Sequence, residues 1–303
     1  MYRLVMVALM ACLVGTASAG AAESLAEVPY AITSDNLLTT DVIINGAGPF
    51  HMVIDTGCTR TTLFAHTASR LGLQPSGTSP VSVFTMSAKT TSLPYLLYDM
   101  RIGSEAITDL TVVVIEDPND KLPTPDGIIG LDVLERYAIV FDHPNRQMLL
   151  FSREDGVPSP YKDWRRGRFM PTPLKQEPAS FWSVQAEFSD LKALSLLDLG
   201  TGVTIIDWDL SRDLLPRARM PEQHDDKVRD ALGKGFPAFR IEGVTVRLAG
   251  YYWINQDLLV ADLPVLKLLG VVGQPISVIG AGLLKERSFA LDFKNERLYV
   301  GRG

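Results

Sequence analysis

Short apolar runs rich in β-branched residues alternate with turn-forming residues along this chain, a pattern typical of β-strands. Residues 37–44 and 50–54 are two such runs, and Asn45-Gly46-Ala47-Gly48-Pro49 between them predicts a turn. Residues 138–142 and 147–152 predict a second hairpin. Nineteen prolines and 24 glycines suit a chain of many turns, so the pattern favours a β-rich fold over a helical bundle.

Helical spacing is confined to short segments. One is residues 63–71, which Gly72 is placed to end, and another is residues 131–137. Residues 81–85 and 90–98 predict a further hairpin with its tip at 86–89. Short helices of this kind accompany a β-fold and do not change the predicted class.

The second half of the chain repeats the first. Residues 55–63 fit the pattern Asp-x-Gly-x-x-x-Thr-x-(Ile or Leu) after an apolar lead-in, and residues 198–206 fit it again, 143 positions later. Gly127-Ile128-Ile129-Gly130 returns as Ser277-Val278-Ile279-Gly280, 150 positions later and in the same order. Two ordered matches are hard to credit to chance, so we predict two duplicated β-lobes.

A change in composition along the chain indicates where the two predicted lobes end and begin. We expect the first lobe at residues 34–152 and the second at 181–303. Residues 153–180 contain five prolines and a run of charges, so we predict a linker there, with Arg165-Arg166-Gly167-Arg168 as a solvated part of it. Residues 20–33 are predicted to be a leader into the first strand, and whether that leader is inhibitory stays open.

The first nineteen residues have the features of a signal peptide. Arg3 is followed by an apolar segment at 4–14 and then by the small residues Ala17-Ser18-Ala19. About 11 apolar residues are too few to span a bilayer, which needs about 20. We therefore predict an exported protein, periplasmic or secreted, without a membrane span. A lipoprotein cleavage site at Leu9-Met10-Ala11-Cys12 is the alternative.

Charge and cysteine content exclude several classes of function. The net charge of −6 offers no basic surface for nucleic acid. Removal of the signal peptide leaves Cys58 as the only cysteine, so an intramolecular disulfide is impossible. We interpret Cys58 as a small buried residue in preference to a nucleophile, because no histidine pattern marks a partner.

Cofactor binding is not predicted. The four histidines, at positions 51, 66, 143 and 224, lack the spacing of metal ligands. The sequence has no glycine-rich phosphate loop of the Walker or dinucleotide type. Asp142 and Asp292 end matching strands and are interpreted as turn formers. We expect a monomer with neither metal nor cofactor.

The two repeated aspartates suggest a specific chemistry. If the lobes pack about a pseudo-twofold axis, Asp55 and Asp198 meet across it. Two carboxyl groups that share a site cannot both ionise readily, so the pair holds one proton between them. The ionised partner can then take a proton from water while the protonated one polarises a carbonyl, which hydrolyses an amide.

These motifs resemble those of the aspartic peptidases, and in particular the bacterial retropepsin-like group, in a two-lobed single chain like the pepsins. The resemblance rests on Asp55-Thr56-Gly57 after an apolar strand, on the Asn45-Gly46 turn, and on Gly127-Ile128-Ile129-Gly130 with its following helix. It implies an all-β fold in which two acid-protease-type β-barrel lobes surround a central cleft, with short helices only.

The resemblance also implies roles for individual residues. Asp55 and Asp198 are the expected catalytic pair, and a hairpin flap within residues 81–98 is expected to cover an extended peptide substrate. The supporting residues implied are Thr56, Gly57, Gly200 and Thr201, and the candidates for the flap are Met86, Ser87, Tyr95 and Tyr98. Ordinary strand positions are the alternative interpretation for the two tyrosines.

One departure from the family pattern leaves three hypotheses. The residue after each aspartate is usually Thr or Ser, whose hydroxyl bonds to the opposite loop; Thr56 fits, whereas Leu199 does not. The first hypothesis is an aspartic endopeptidase. The second is a catalytically degenerate peptide-binding module. The third is a dimer that pairs Asp55 of two chains, with the second lobe as a structural cover.

Overall fold

The computed structural model describes residues 23–84, 89–117, 125–173, 180–214, 226–229, 235–262 and 274–301. Strands form most of its regular structure. In chain order they are β1 Ala26–Pro29, β2 Ala31–Ile32, β3 Leu38–Ile44, β4 Ala47–Ile54, β5 Thr62–Phe64, β6 Val81–Phe84, β7 Lys89–Ser92, β8 Pro94–Ile102, β9 Glu105–Ile115, β10 Gly127–Ile129, β11 Tyr137–Asp142, β12 Gln147–Ser152, β13 Arg165–Pro173, β14 Ser180–Phe188, β15 Leu191–Asp198, β16 Ile205–Ile206, β17 Asp226–Arg229, β18 Gly235–Leu248, β19 Tyr251–Ala261, β20 Ile276–Gly280, β21 Phe289–Asp292 and β22 Arg297–Val300.

Helices are short throughout the described part of the chain. They are α1 Ala65–Arg70, α2 Leu131–Leu134, α3 Trp208–Leu214 and α4 Ala281–Leu284, with one 3₁₀ turn at Tyr161–Asp163. No helix among the described residues has the length and apolarity needed to cross a membrane. The predicted all-β fold class is therefore confirmed.

The first lobe is a closed barrel. Its strands are ordered β3-β4-β10-β5-β9-β8, and β8 returns to pair with β3 through Ile43 and Arg101. Strand β10 is parallel to β4 and antiparallel to β5, so it separates the strand that enters the loop after Ile54 from the strand that leaves it. The interior of the barrel is apolar and includes the buried side chains of Met52 and Leu97. This order fixes the loop at residues 55–61 at one end of the barrel.

The second lobe has the same order of strands. It runs β14-β15-β20-β16-β19-β18, and β18 closes on β14 through the pair Glu187 and Arg247. As in the first lobe, the central strand, here β20, is parallel to the strand before the aspartate and antiparallel to the strand after the loop. The loop at residues 199–204 therefore occupies the same position in its barrel as residues 55–61 do in the first.

A sheet of six strands joins the two barrels, in the order β1-β12-β11-β21-β22-β13. At its centre Val140 of β11 pairs with Ala290 of β21, and Phe141 pairs with Phe289 next to them. The rings of Phe141 and Phe289 stack with centroids 4.5 Å apart. Because Val140 and Ala290 hold the same place in the two halves of the sequence, a local twofold axis passes through this pair.

Two segments predicted as connectors contain strands of this sheet. Strand β1 lies in the predicted leader and pairs with β12, whereas β13 lies in the predicted linker and pairs first with β22 and then with β14. Residues 165–168 therefore form a strand and not an irregular segment, although the side chains of Arg165, Arg166 and Arg168 are exposed as expected. Both strands lie at edges of the six-stranded part, where exposed side chains tolerate charge and proline, so their sequences carry little strand signal.

The hairpins predicted at residues 37–54 and 138–152 are present as β3–β4 and β11–β12, whereas Ala47-Gly48-Pro49 of the predicted turn belong to β4 and the strand predicted at 90–98 is divided between β7 and β8. Turn residues Asn45 and Gly46 join β3 to β4, and Gly72 follows α1 with φ +61°, a left-handed conformation that glycine adopts readily. The predicted signal peptide at 1–19 lies outside the described residues, so it stays a prediction.

Candidate active site

The two aspartates singled out in the sequence lie against each other. Asp55 follows β4, Asp198 ends β15, and their side chains are 8% and 9% exposed. A Cβ atom added to Gly200 would lie 2.2 Å from Cγ of Asp55, and one added to Gly57 would lie 2.3 Å from Cγ of Asp198. Each glycine therefore makes room for the carboxyl group of the opposite lobe.

Backbone amides hold each carboxyl group in its own loop. The N–H of Gly57 donates to Oδ1 of Asp55 at 2.6 Å, and the N–H of Gly200 donates to Oδ1 of Asp198 at 2.9 Å. The two carboxyl groups are also close enough for each to shift the pKa of the other. A hydrogen bond between them requires one shared proton, because two carboxylates have no donor.

Burial and proximity set the titration of this pair. Burial raises the pKa of Asp55 well above its ordinary value, and the charge of Asp198 and the hydrogen bond from it raise it further. Burial also raises the pKa of Asp198, while the hydrogen bond from Asp55 and backbone N–H groups oppose that rise. The pair therefore keeps a proton at pH values where an exposed aspartate has lost it, and it titrates as a unit.

Thr56 connects the two loops across the lobe interface. Its hydroxyl donates to the carbonyl of Leu197 at 2.7 Å and accepts from the N–H of Leu199 at 3.1 Å. These two backbone groups flank Asp198, so one side chain of the first lobe positions the second acid. The reciprocal contact is missing because Leu199, which is fully buried, has no hydroxyl. The asymmetry expected from the sequence is thus a feature of the structure.

A polar pair of one buried and one half-buried residue, which the sequence analysis missed, supports the first loop. Oγ1 and the N–H of Thr61 both donate to Oδ1 of Asp132, each at 2.8 Å, and the N–H of Gly130 donates to the Thr61 hydroxyl at 3.1 Å. Burial raises the pKa of Asp132, while its bonds to Thr61 lower it. The threonine shared by the two repeated motifs is the sequence signal that could have revealed this pair.

The other supporting residues act through backbone or packing. The N–H of Thr201 bonds to the Asp198 carbonyl at 3.3 Å, and the Thr201 carbonyl accepts from Ala281 at 2.8 Å. Cys58 is buried, and its thiol donates to the carbonyl of Arg60 at 3.0 Å. Burial raises the pKa of this thiol to about 12, and the charge of Asp55 raises it too, so the thiolate form is suppressed. The structure thus favours the interpretation of Cys58 as a buried packing residue.

The hairpin expected to act as a flap is present as β6 and β7, which pair from Val81 and Ser92 to Phe84 and Lys89. Its predicted tip residues Met86 and Ser87 lie outside the described residues.

The two tyrosine candidates lie in β8, outside the hairpin. Tyr95 pairs with Val112 of β9. Tyr98 is 68% exposed, and its N–H bonds to the side chain of Asn45 at 2.9 Å. Asn45 lies in the turn between β3 and β4. This turn is at the opposite end of β4 from Asp55, about 25 Å along the strand. The structure therefore places Tyr98 away from the acids, where its side chain cannot cover them.

Metal ligands do not cluster in the described part of the chain, which contains no group of three or more His, Cys, Asp or Glu side chains able to hold an ion. His51 pairs with Asp41 at 3.0 Å, and His66 pairs with Asp117 at 2.6 Å and with Asp126 at 3.4 Å.

The sequence model of the aspartyl protease family matches residues 40–133. This span starts in β3, includes Asp55, Thr56 and Gly57, and ends in α2 after Gly130. No curated protein matches the chain.

Proposed function

We propose that this chain is a retropepsin-like aspartyl protease, an endopeptidase whose Asp55 and Asp198 activate a water molecule to hydrolyse peptide bonds. The observation that carries the proposal is the contact between the two carboxyl groups, each admitted by the glycine of the opposite loop. The family match lies in the first lobe, so the role of Asp198 rests on this geometry alone.

The arrangement accounts for each proton in the reaction. The ionised carboxyl group takes a proton from water as the water oxygen attacks the carbonyl carbon of the peptide. The protonated carboxyl group gives its proton to the carbonyl oxygen, which produces a neutral tetrahedral diol. Collapse of the diol breaks the C–N bond: the carboxyl group that took the first proton gives it to the leaving nitrogen, while the other, now ionised, takes a proton from a diol hydroxyl. Each aspartate thereby returns to the protonation state in which it began.

The loop amides make this pair ready for reaction. The N–H groups of Gly57 and Gly200 are already bonded to the carboxyl groups, so little rearrangement is needed when charge shifts between them. Thr56 holds the backbone on both sides of Asp198. An extended peptide between the lobes, covered by the β6–β7 hairpin, completes the proposal, together with export to the periplasm or the medium.

The deciding experiment measures cleavage of a peptide library by the mature chain between acidic and neutral pH. Asp55→Asn and Asp198→Asn are each expected to abolish cleavage, whereas Asp41→Asn, which removes an exposed carboxylate paired with His51, serves as the matched control. Equal loss in both variants with an active control supports a pair formed within one chain. An active Asp198→Asn variant contradicts it and supports a dimer that joins Asp55 of two chains.

A second candidate function is a peptide-binding module without catalysis, and Leu199 favours it. Thr56 and Leu199 are the residues that follow the two aspartates, and Leu199 has no hydroxyl. The hydrogen bonds that Thr56 makes across the interface therefore have no counterpart from Leu199. The module predicts that peptides bind but are not cut at any pH. Binding measured by calorimetry beside the cleavage assay separates it from the enzyme.

A further inference from the structure

The two acid loops are supported from different places. In the first lobe, Thr61 bonds twice to Asp132 and accepts from the N–H of Gly130, so the loop is held by residues of its own barrel. Asp132, Thr61 and Gly130, which follows β10, are thereby joined in one hydrogen-bonded unit. Nothing in this unit comes from the second lobe.

The matching unit is incomplete in the second lobe. Thr204 follows Asp198 by six residues, as Thr61 follows Asp55, and Gly282 follows Gly280 by two, as Asp132 follows Gly130. Glycine thus stands where the first lobe has the carboxylate. The Thr204 hydroxyl is buried and has no hydrogen-bond partner among the described residues. The internal support that fixes the first loop is therefore absent from the second.

A turn of the first lobe fills the space instead. The turn is residues 33–37, between β2 and β3, and the carbonyl oxygen of Asp35 lies only 1.6 Å from where a Cβ atom on Gly202 would be. The side-chain N–H of Asn36 donates to the carbonyl of Gly202 in a long hydrogen bond of 3.4 Å. Nζ of Lys285 donates to Oδ1 of Asn36 at 3.0 Å. Asn36 therefore bridges the second acid loop and the residue that follows α4.

The turn is held in shape by its own bonds. Asn36 has φ +65°, and its N–H donates to the carbonyl of Thr33 at 3.0 Å. The Thr33 hydroxyl accepts from the N–H of Leu37, also at 3.0 Å. The glycine at 282 is needed for the close fit, because a Cβ there would lie 2.2 Å from the carbonyl oxygen of Gly202. The turn thus meets the acid loop at Gly202, and Gly282 of α4 lets the helix approach the carbonyl of the same residue.

We propose that Asn36 is a positioning residue for Asp198, holding the second acid loop from the first lobe in place of the missing Thr–Asp pair. It acts through the Gly202 carbonyl, four residues after Asp198, and Lys285 orients its amide. The inference rests on the proposed function, since it assigns Asn36 to the reaction of the Asp55–Asp198 pair. It explains why Leu199 and Gly282 are tolerated together in the second lobe.

The test uses Asn36→Gly, because glycine keeps the left-handed backbone while the side chain is lost. Asn45→Gly is the matched control: Asn45 also has a positive φ, of +50°, and its side chain bonds to two backbone N–H groups of β8, far from the acids. We expect kcat of Asn36→Gly to fall about tenfold, since a displaced catalytic group costs one to two orders of magnitude. We expect KM to stay unchanged, and the control to keep the wild-type kcat. Lys285→Met, which frees the Asn36 amide, should lower kcat by a smaller factor.

A pH profile distinguishes positioning from general destabilisation. The nearby Asp198 charge raises the pKa of Asp55, so a displaced Asp198 should move the basic limb of the kcat/KM profile of Asn36→Gly to lower pH. Titration of ¹³C-labelled aspartate carboxyls should show the same change without any substrate. An unchanged kcat and profile, or equal loss in Asn36→Gly and Asn45→Gly, overturns the inference. A wild-type chain that cuts no peptide refutes the proposed function instead, and the carboxyl titration then still decides the role of Asn36.

Discussion

Acidification should weaken the contact between the lobes at His143, which lies in the turn between β11 and β12. The side chain is 6% exposed and packs against Phe289 of the second lobe, with ring centroids 5.6 Å apart. Its Nδ1 is hydrogen-bonded to the hydroxyl of Tyr30, and no bond of ordinary geometry reaches its Nε2. A proton added to this ring would therefore be a buried charge with poor compensation.

The direction and size of the effect follow from the pKa of His143. Burial lowers this pKa from 6.5 to about 4, and the charge of Arg146 lowers it too, while the Leu284 carbonyl and Asp142 oppose the shift. Between pH 6.5 and about pH 4, His143 is protonated in the unfolded chain and neutral in the folded chain. Stability is therefore full above pH 6.5 and is lost as the pH falls towards 4. At about 1.4 kcal/mol for each tenfold change, the whole transition is worth about 3 kcal/mol.

Denaturant unfolding of the mature chain and of His143→Gln, measured from pH 7 to pH 4, tests this reasoning. Glutamine cannot take up a proton, so the variant should be less stable at pH 7 but should lose less stability on acidification. The comparison of the two profiles is needed because buried carboxyl groups act in the opposite sense: the pKa of Asp132, raised by burial, makes protonation stabilise the folded state. Parallel profiles of the two proteins between pH 6.5 and 4 would refute the argument.

Three further predictions concern the acid loops. Thr56→Val should cost about 2–4 kcal/mol, because two buried hydrogen bonds are lost and the N–H of Leu199 is left unpaired, and Thr56→Ser should recover most of this free energy of unfolding in a urea titration. Gly200→Ala should abolish peptide cleavage, because its Cβ would lie 2.2 Å from Cγ of Asp55; an active alanine variant would show that the loops can separate at little cost. Cys58 should resist an aromatic disulfide reagent at pH 8 in the folded chain and react in denaturant, since its pKa is about 12; rapid labelling of the folded chain would contradict its burial.

The sequence was most informative where a local rule constrains the chain. Asp55 and Asp198 were found because an acid followed by glycine at a strand end repeats with a fixed spacing, and the reason for each glycine is now visible in the approach of the opposite carboxyl group. The missing hydroxyl at Leu199 was equally plain, because one residue type decides whether the bond exists. Turn chemistry located the hairpin at Asn45 for the same reason.

Edge strands were the main failure of sequence reasoning. Strand β1 alternates buried and exposed residues, and Arg165, Arg166 and Arg168 of β13 are exposed although Phe169 is fully buried. Strand β1 pairs with β12, and the first half of β13 with β22, more than a hundred residues away, so neither sequence carries a strong strand signal. The twofold axis at Val140 and Ala290 relates β1 to β13, so the two strands occupy equivalent positions in the same six-stranded part of the sheet. Tyr98 was misplaced for a related reason, because the position of a strand end in space depends on the strands it joins.

The sequence by itself determined two β-lobes, two acid loops and the asymmetry between Thr56 and Leu199, since each depends on residues adjacent in the chain. Only the tertiary structure decided what supports those loops. The Thr61–Asp132 pair joins residues 71 positions apart, and Asn36 reaches a carbonyl 166 positions away. Such contacts require the barrels to close and the lobes to pack, because no local spacing brings the partners within hydrogen-bonding distance.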